Sequence, residues 1–155
     1  MRPVVILVNG TGGFVGRKNT LAVFKRFLSK KTVPLSGAPP IRRLKTYSAQ
    51  SGYVYQYFYE GHRPYRSSGD QGTEFVFHLS SDRKTWFDTA VYVSDASIAA
   101  WQQTHGRELS STERYAVAKI ALFQAFDERP EPAQLSGEIR VRAADVEGIV
   151  ETLGL

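Results

Sequence analysis

The chain has no cysteine. That excludes disulfides, thiolate metal sites and a cysteine nucleophile at once, and it fits a reducing compartment. Long apolar runs are missing too. The longest, Val-Val-Ile-Leu-Val at residues 4–8, falls far short of the ~20 residues that a membrane span needs, so no membrane partner is expected. Asn9 and a run of glycines follow where a longer apolar region and a cleavage site would belong, so a secretory leader is not expected and a cytoplasmic location is. An acid-free basic start has the composition of a mitochondrial transit peptide, which makes organelle import the alternative.

Catalytic constellations are also lacking. His62, His78 and His105 share no metal-ligand spacing, and no His-Glu or Asp-x-Asp cluster occurs. There is no Gly-x-Ser-x-Gly elbow for a serine nucleophile. No catalytic residue, metal or cofactor is therefore assigned, and a non-enzymatic role is expected.

The last absence is the most informative. No Asp or Glu precedes Glu60. Residues 1–49 hold ten cations (Arg2, Arg17, Lys18, Lys25, Arg26, Lys30, Lys31, Arg42, Arg43 and Lys45) and carry +10, while residues 50–155 hold the other ten and all 15 carboxylates, or −5. A basic segment joined to an acidic body suits a polyanion, an acidic protein partner or an import machinery. The apolar share of 42% and charged share of 23% are those of an ordinary globular domain.

Within the basic segment, residues 4–8 read as a buried strand. Residues 17–31 read as an amphipathic helix, with Leu21, Val23, Phe24, Phe27 and Leu28 on one face and Lys18, Lys25, Arg26 and Lys30 opposite. Residues 32–44 hold Pro34, Gly37, Pro39 and Pro40 and form a linker. The expected organisation is an arm over residues 1–44 and a body over residues 45–155.

The body reads as α+β: an antiparallel meander of three or more strands packed against two or more C-terminal helices. Tyr53, Tyr55, Tyr57 and Tyr59 alternate with Val54, Gln56, Phe58 and Glu60 as in a strand. Residues 61–72, with Pro64, Gly69 and Asp70, are expected to be a polar loop. Phe75, Phe77 and Leu79 mark a second strand and residues 85–93 a third. A helix opening at Ser94 or Asp95 stops at Gly106, and Ser110 to Glu113 is a capping box for a central, mostly apolar helix ending near Glu128. Residues 128–137 read as a loop, 138–142 as a short strand and 144–153 as a closing helix.

Three binding features stand out. Gly10, Gly12, Gly13 and Gly16, followed by Arg17, sit between the expected strand and helix. The spacing of Gly10, Gly13 and Gly16 resembles the nucleotide-binding turn of the extended short-chain dehydrogenases and sugar-nucleotide epimerases. That resemblance implies a phosphate held at a helix N-terminus. It covers residues 3–31 and is not continued by the acidic strand end that a ribose would need. The second feature is the tyrosine stripe, Tyr53 to Tyr59, which offers either a base-stacking platform or one core face of a sheet. The third, from Thr89 to Glu128, resembles a ribbon-helix-helix repressor in its order of strand, helix and capped helix, though its strand carries no base reader.

These features lead to a first expectation of a binding module. Arg17, Lys18, Lys25, Arg26, Lys30, Lys31, Arg42, Arg43 and Lys45 would engage a polyanion such as RNA or DNA backbone. A subunit or adaptor docking on an acidic protein surface, including a second copy, is the first alternative. A nucleotide- or phosphate-using enzyme built on the glycine turn is the second.

Overall fold

The computed structural model describes residues 33–155, of which Pro34–Leu155 forms one compact unit. The expected strand at residues 4–8, the glycine turn and the basic helix at 17–31 lie outside the described residues.

The fold is α+β. Five strands lie side by side in chain order: β1 (Lys45–Ser48), β2 (Val54–Ser67), β3 (Asp70–Ser80), β4 (Phe87–Ser94) and β5 (Glu138–Val141). The first four form an antiparallel meander, and β5 joins β4 in parallel. A parallel return needs a long crossover. Here it consists of α1 (Asp95–His105), α2 (Ser111–Glu128) and a 3-10 turn at Pro132–Leu135, and α3 (Ala143–Thr152) follows β5.

Period-two alternation decides which face of the sheet meets the helices. Tyr55 and Tyr57 on β2, Phe75, Phe77 and Leu79 on β3, Val91 and Val93 on β4, and Ile139 and Val141 on β5 are buried. They meet Ile98, Val117, Leu122, Phe126, Val146 and Ile149 from the helices in one core. The central helix is placed as its composition predicts, because no residue between Glu113 and Phe123 is fully exposed. Its start is the expected capping box: the Glu113 amide donates to Ser110 Oγ at 3.2 Å, and the Ser110 amide donates to the Glu113 carboxylate at 2.8 Å. Gly106 ends α1 in the left-handed region at φ 62° and donates its amide to the Gln102 carbonyl.

The expected loop over residues 61–72 is instead a long hairpin. β2 continues to Ser67 and β3 begins at Asp70, leaving only Ser68 and Gly69 as the turn. A bulge at Glu60 makes this possible. It shifts the register between Tyr59 and Gly61, so that Arg63 lies opposite Glu74 and pairs with it at 2.6 and 3.1 Å. Tyr65 donates its hydroxyl to Asp70 at 2.9 Å. Proline is tolerated because Pro64 is exposed on a stretch of β2 whose outer side carries no strand among the described residues. At the bulge, Gly61 has φ 132°, and a Cβ there would stand 2.6 Å from the Ser36 carbonyl oxygen. That close approach carries the single bridge between Ser36 and His62, with amide donors at 2.9 and 2.8 Å in both directions.

Candidate functional site

The tyrosine stripe lies on the core side of the sheet. Tyr55 is fully buried and its ring stacks on Phe126 with centroids 4.3 Å apart and planes 7° apart. Tyr57 is 3% exposed and lies edge-on to Phe77 and Phe123. A nucleobase reaches neither ring unless α2 leaves the sheet. Tyr53 is half-buried with its hydroxyl 3.3 Å from Glu131, and only Tyr59 opens onto a cavity.

A volume of about 400 Å³ is enclosed by Gly37, Pro39, Pro40, Ile41, Arg43, Lys45, Tyr59 and Tyr115. A second of about 300 Å³ shares Gly37, Tyr59 and Tyr115 and adds His62, Thr73, Phe75, Ser111, Thr112 and Arg114. Together they form one cleft whose walls are the Pro-rich segment, the middle of β2 and the first turns of α2. A cleft of this size with a few polar groups on an apolar lining is the usual form of a ligand site.

The bulge in β2 creates the polar centre of this cleft. Simple alternation would put Tyr59 and His62 on opposite faces of the strand. With Glu60 looped out, Tyr59 pairs with Phe77 and His62 with Phe75, both on the helix side. Their side chains meet, Tyr59 Oη and His62 Nδ1 being 2.9 Å apart. Tyr115 packs beside Tyr59 with centroids 4.6 Å apart. Burial, and then Tyr115, push the Tyr59 hydroxyl up to about 12, and Tyr57 is raised to about 12 by the same two causes. At neutral pH Tyr59 is therefore a neutral hydrogen-bonding group.

These shifts have a measurable sign. Unfolded tyrosines lose their protons near pH 10, before Tyr57 and Tyr59 do in the fold, so stability should fall as pH rises from about 10 to about 12. A phenolate absorbance titration should show these two ionising late together with Tyr65, which burial first and its hydrogen bond to Asp70 second also push up to about 12. Uniform titration of all 8 tyrosines near pH 10 would mean that β2 and α2 are not packed together.

The electrostatics of the cleft are one-sided. Its lining holds Arg43, Lys45 and Arg114 together with His62, and no carboxylate among the described residues. Arg43 and Lys45 are exposed and take part in no ion pair among the described residues, whereas Arg42 pairs with Glu60, Arg63 with Glu74, Arg107 with Glu113 and Arg142 with Asp145. Lys45 also acts on Lys119, which burial first and Lys45 second hold below the usual lysine range. Arg114 keeps two long contacts, to the Leu109 carbonyl at 3.4 Å and to Asp95 at 3.5 Å. Compared with protein families, curated proteins and solved structures, the chain matches none. The chemistry of the cleft is therefore read from its own atoms.

The expected polyanion track divides three ways. Arg17, Lys18, Lys25, Arg26, Lys30 and Lys31 lie outside the described residues, as do Gly10, Gly12, Gly13 and Gly16. Arg43 and Lys45 line the cleft. Arg42 is on the opposite face of the sheet, over the Phe58 ring at 4.5 Å and paired with Glu60. That face also holds His78, which contacts Asp88 at 2.6 Å and stacks on Trp86. Its cations meet nearby carboxylates, including Arg63 with Glu74 and Arg140 with Glu138.

The ribbon-helix-helix likeness stops at residue order. β4 is hydrogen-bonded to β3 on one side and β5 on the other, so it has no edge for a second ribbon strand. Among the described residues no group of three His, Cys, Asp or Glu side chains gathers as a metal site, and no helix is long and apolar enough to cross a membrane. Tyr115, His62 and Arg114 had no place in the expected site. The bulge that gathers them leaves no pattern in composition or period.

Proposed function

We propose that the chain is a non-enzymatic binding module for anionic polymers, RNA or DNA backbone first among them. Arg43 and Lys45 contact phosphates at the cleft. The cations of the N-terminal sequence, Arg17, Lys18, Lys25, Arg26, Lys30 and Lys31, add sequence-independent attraction. One observation supports this reading above the others: among the described residues, Arg43 and Lys45 on the cleft lining take part in no ion pair, and no carboxylate lines the cleft.

Unpaired exposed cations beside a neutral tyrosine favour binding over catalysis. Phosphate contacts of this kind position a polymer without reading its sequence.

The reading is tested by fluorescence anisotropy of labelled RNA, duplex DNA and heparin titrated with the full chain. Affinity is expected to fall about tenfold or more between ~50 and ~200 mM salt, as counterion release requires. Binding that ignores salt, or no binding to any of the three, would end it and leave an acidic protein surface as the partner to test.

A further inference from the structure

We propose that the cleft takes an unpaired base of a single-stranded nucleic acid, held against Tyr59 and Tyr115 while Arg43 and Lys45 hold the adjoining phosphates. This rests on the polyanion reading above and narrows it to one ligand class. Three features of the cleft lead here.

The first is shape. The two connected volumes, about 400 and 300 Å³, fall in the range of sites that enclose a small planar ligand, roughly 300–1,000 Å³. A duplex buries its base faces in its own stack and offers only groove edges and backbone, so a concave aromatic-lined site has little to hold there. Single strands splay their bases out, and proteins take them on aromatic side chains.

The second is the pairing of aromatic and cationic groups. Tyr59 and Tyr115 line both halves of the cleft and are only half-buried, unlike Tyr55 and Tyr57. Arg43 and Lys45 border one half and Arg114 the other, so cations flank the two rings on both sides. A nucleotide chain repeats that alternation of ring and charge. A sulfated sugar polymer supplies the charge without a planar aromatic ring.

The third is hydrogen bonding. Tyr59 Oη and His62 Nδ1 are 2.9 Å apart at the centre of the cleft, and the Ser111 and Thr112 side chains line the same half as His62. These groups both donate and accept, which suits the edge of a base.

The test keeps charge constant and removes the bases. Full-length protein is titrated, at ~100 mM salt, against a labelled single-stranded oligonucleotide, an abasic strand of equal length, the corresponding duplex and heparin. Base stacking on an aromatic residue predicts binding about tenfold tighter for the strand with bases than for the abasic strand, with the duplex also weaker. Tyr115→Leu should bring the ratio of the two single-strand affinities most of the way to one. Equal affinity for the two single strands, or a duplex bound more tightly, overturns the proposal and leaves polyanion binding standing. Failure of every polymer to bind overturns both readings. The abasic comparison uses only the native chain, so it decides the matter even if the tyrosine variant fails to fold.

Discussion

Phe126→Ala is expected to destabilise the compact unit by about 3–5 kcal/mol, the cost of emptying a fully buried aromatic site. Phe126 has no exposed surface, and it stacks on Tyr55 while its ring centroid lies 5.6, 6.3 and 6.2 Å from those of Tyr47, Tyr57 and Phe123. With Phe123, which stacks on Tyr47 at 4.3 Å, it is a side chain through which α2 holds β1 and β2 together. Truncation leaves Tyr55 facing a void. The Tyr55 hydroxyl has no hydrogen-bond partner among the described residues, so none of these holds it in position. Domains are stable by only ~5–15 kcal/mol, so such a loss approaches unfolding. Urea melts followed by circular dichroism should show the midpoint collapse, while Phe126→Leu keeps much of the volume and loses roughly half as much. A cost under about 1 kcal/mol for the alanine variant would mean that the tyrosine face is open, which would restore it as a stacking platform.

That experiment bears on how much of this molecule could be read from its residues. The tyrosine stripe, the capping box at Ser110 and Glu113 and the stop at Gly106 each depend on neighbours within a few positions, and each is found where local rules put it. β1 was not visible because Lys-Thr-Tyr-Ser holds one apolar residue in four. It is a strand because β2 offers it an edge, and Tyr47 is anchored by a hydrogen bond to Asp127 80 positions away. The hairpin over residues 61–72 was hidden by polar side chains that find partners only across the turn, Arg63 with Glu74 and Tyr65 with Asp70.

The cleft was hidden for a similar reason. Its floor depends on one extra residue in β2, and a bulge cannot be told from a strand end by period alone. The Pro-rich wall is tied to β2 by the Ser36–His62 bridge, a contact spanning 26 positions. Arg42, Arg43 and Lys45 looked like one track in sequence. In the fold, Arg42 lies over Phe58 and pairs with Glu60 on the far face of the sheet, and of the three only Arg43 and Lys45 line the cleft.

Reversing those two charges is expected to produce the largest functional effect. In an Arg43→Glu, Lys45→Glu variant, affinity for a single-stranded oligonucleotide at ~100 mM salt should fall about a hundredfold. The slope of log affinity against log salt should shrink by about 2, one for each phosphate contact removed. Stability should hardly change, because both residues are exposed and neither is ion-paired among the described residues. A carboxylate at position 45 would even relieve Lys119, which Lys45 now repels. Net charge alone also weakens binding, and the matched control is Arg66→Glu, Lys84→Glu. It makes the same change in total charge at two exposed positions that do not line the cleft. Long-range attraction is screened within about 10 Å at this salt, so the control should lose no more than about threefold. Equal losses in the two variants would show that affinity follows total charge, and the cleft would then have no claim as the binding site.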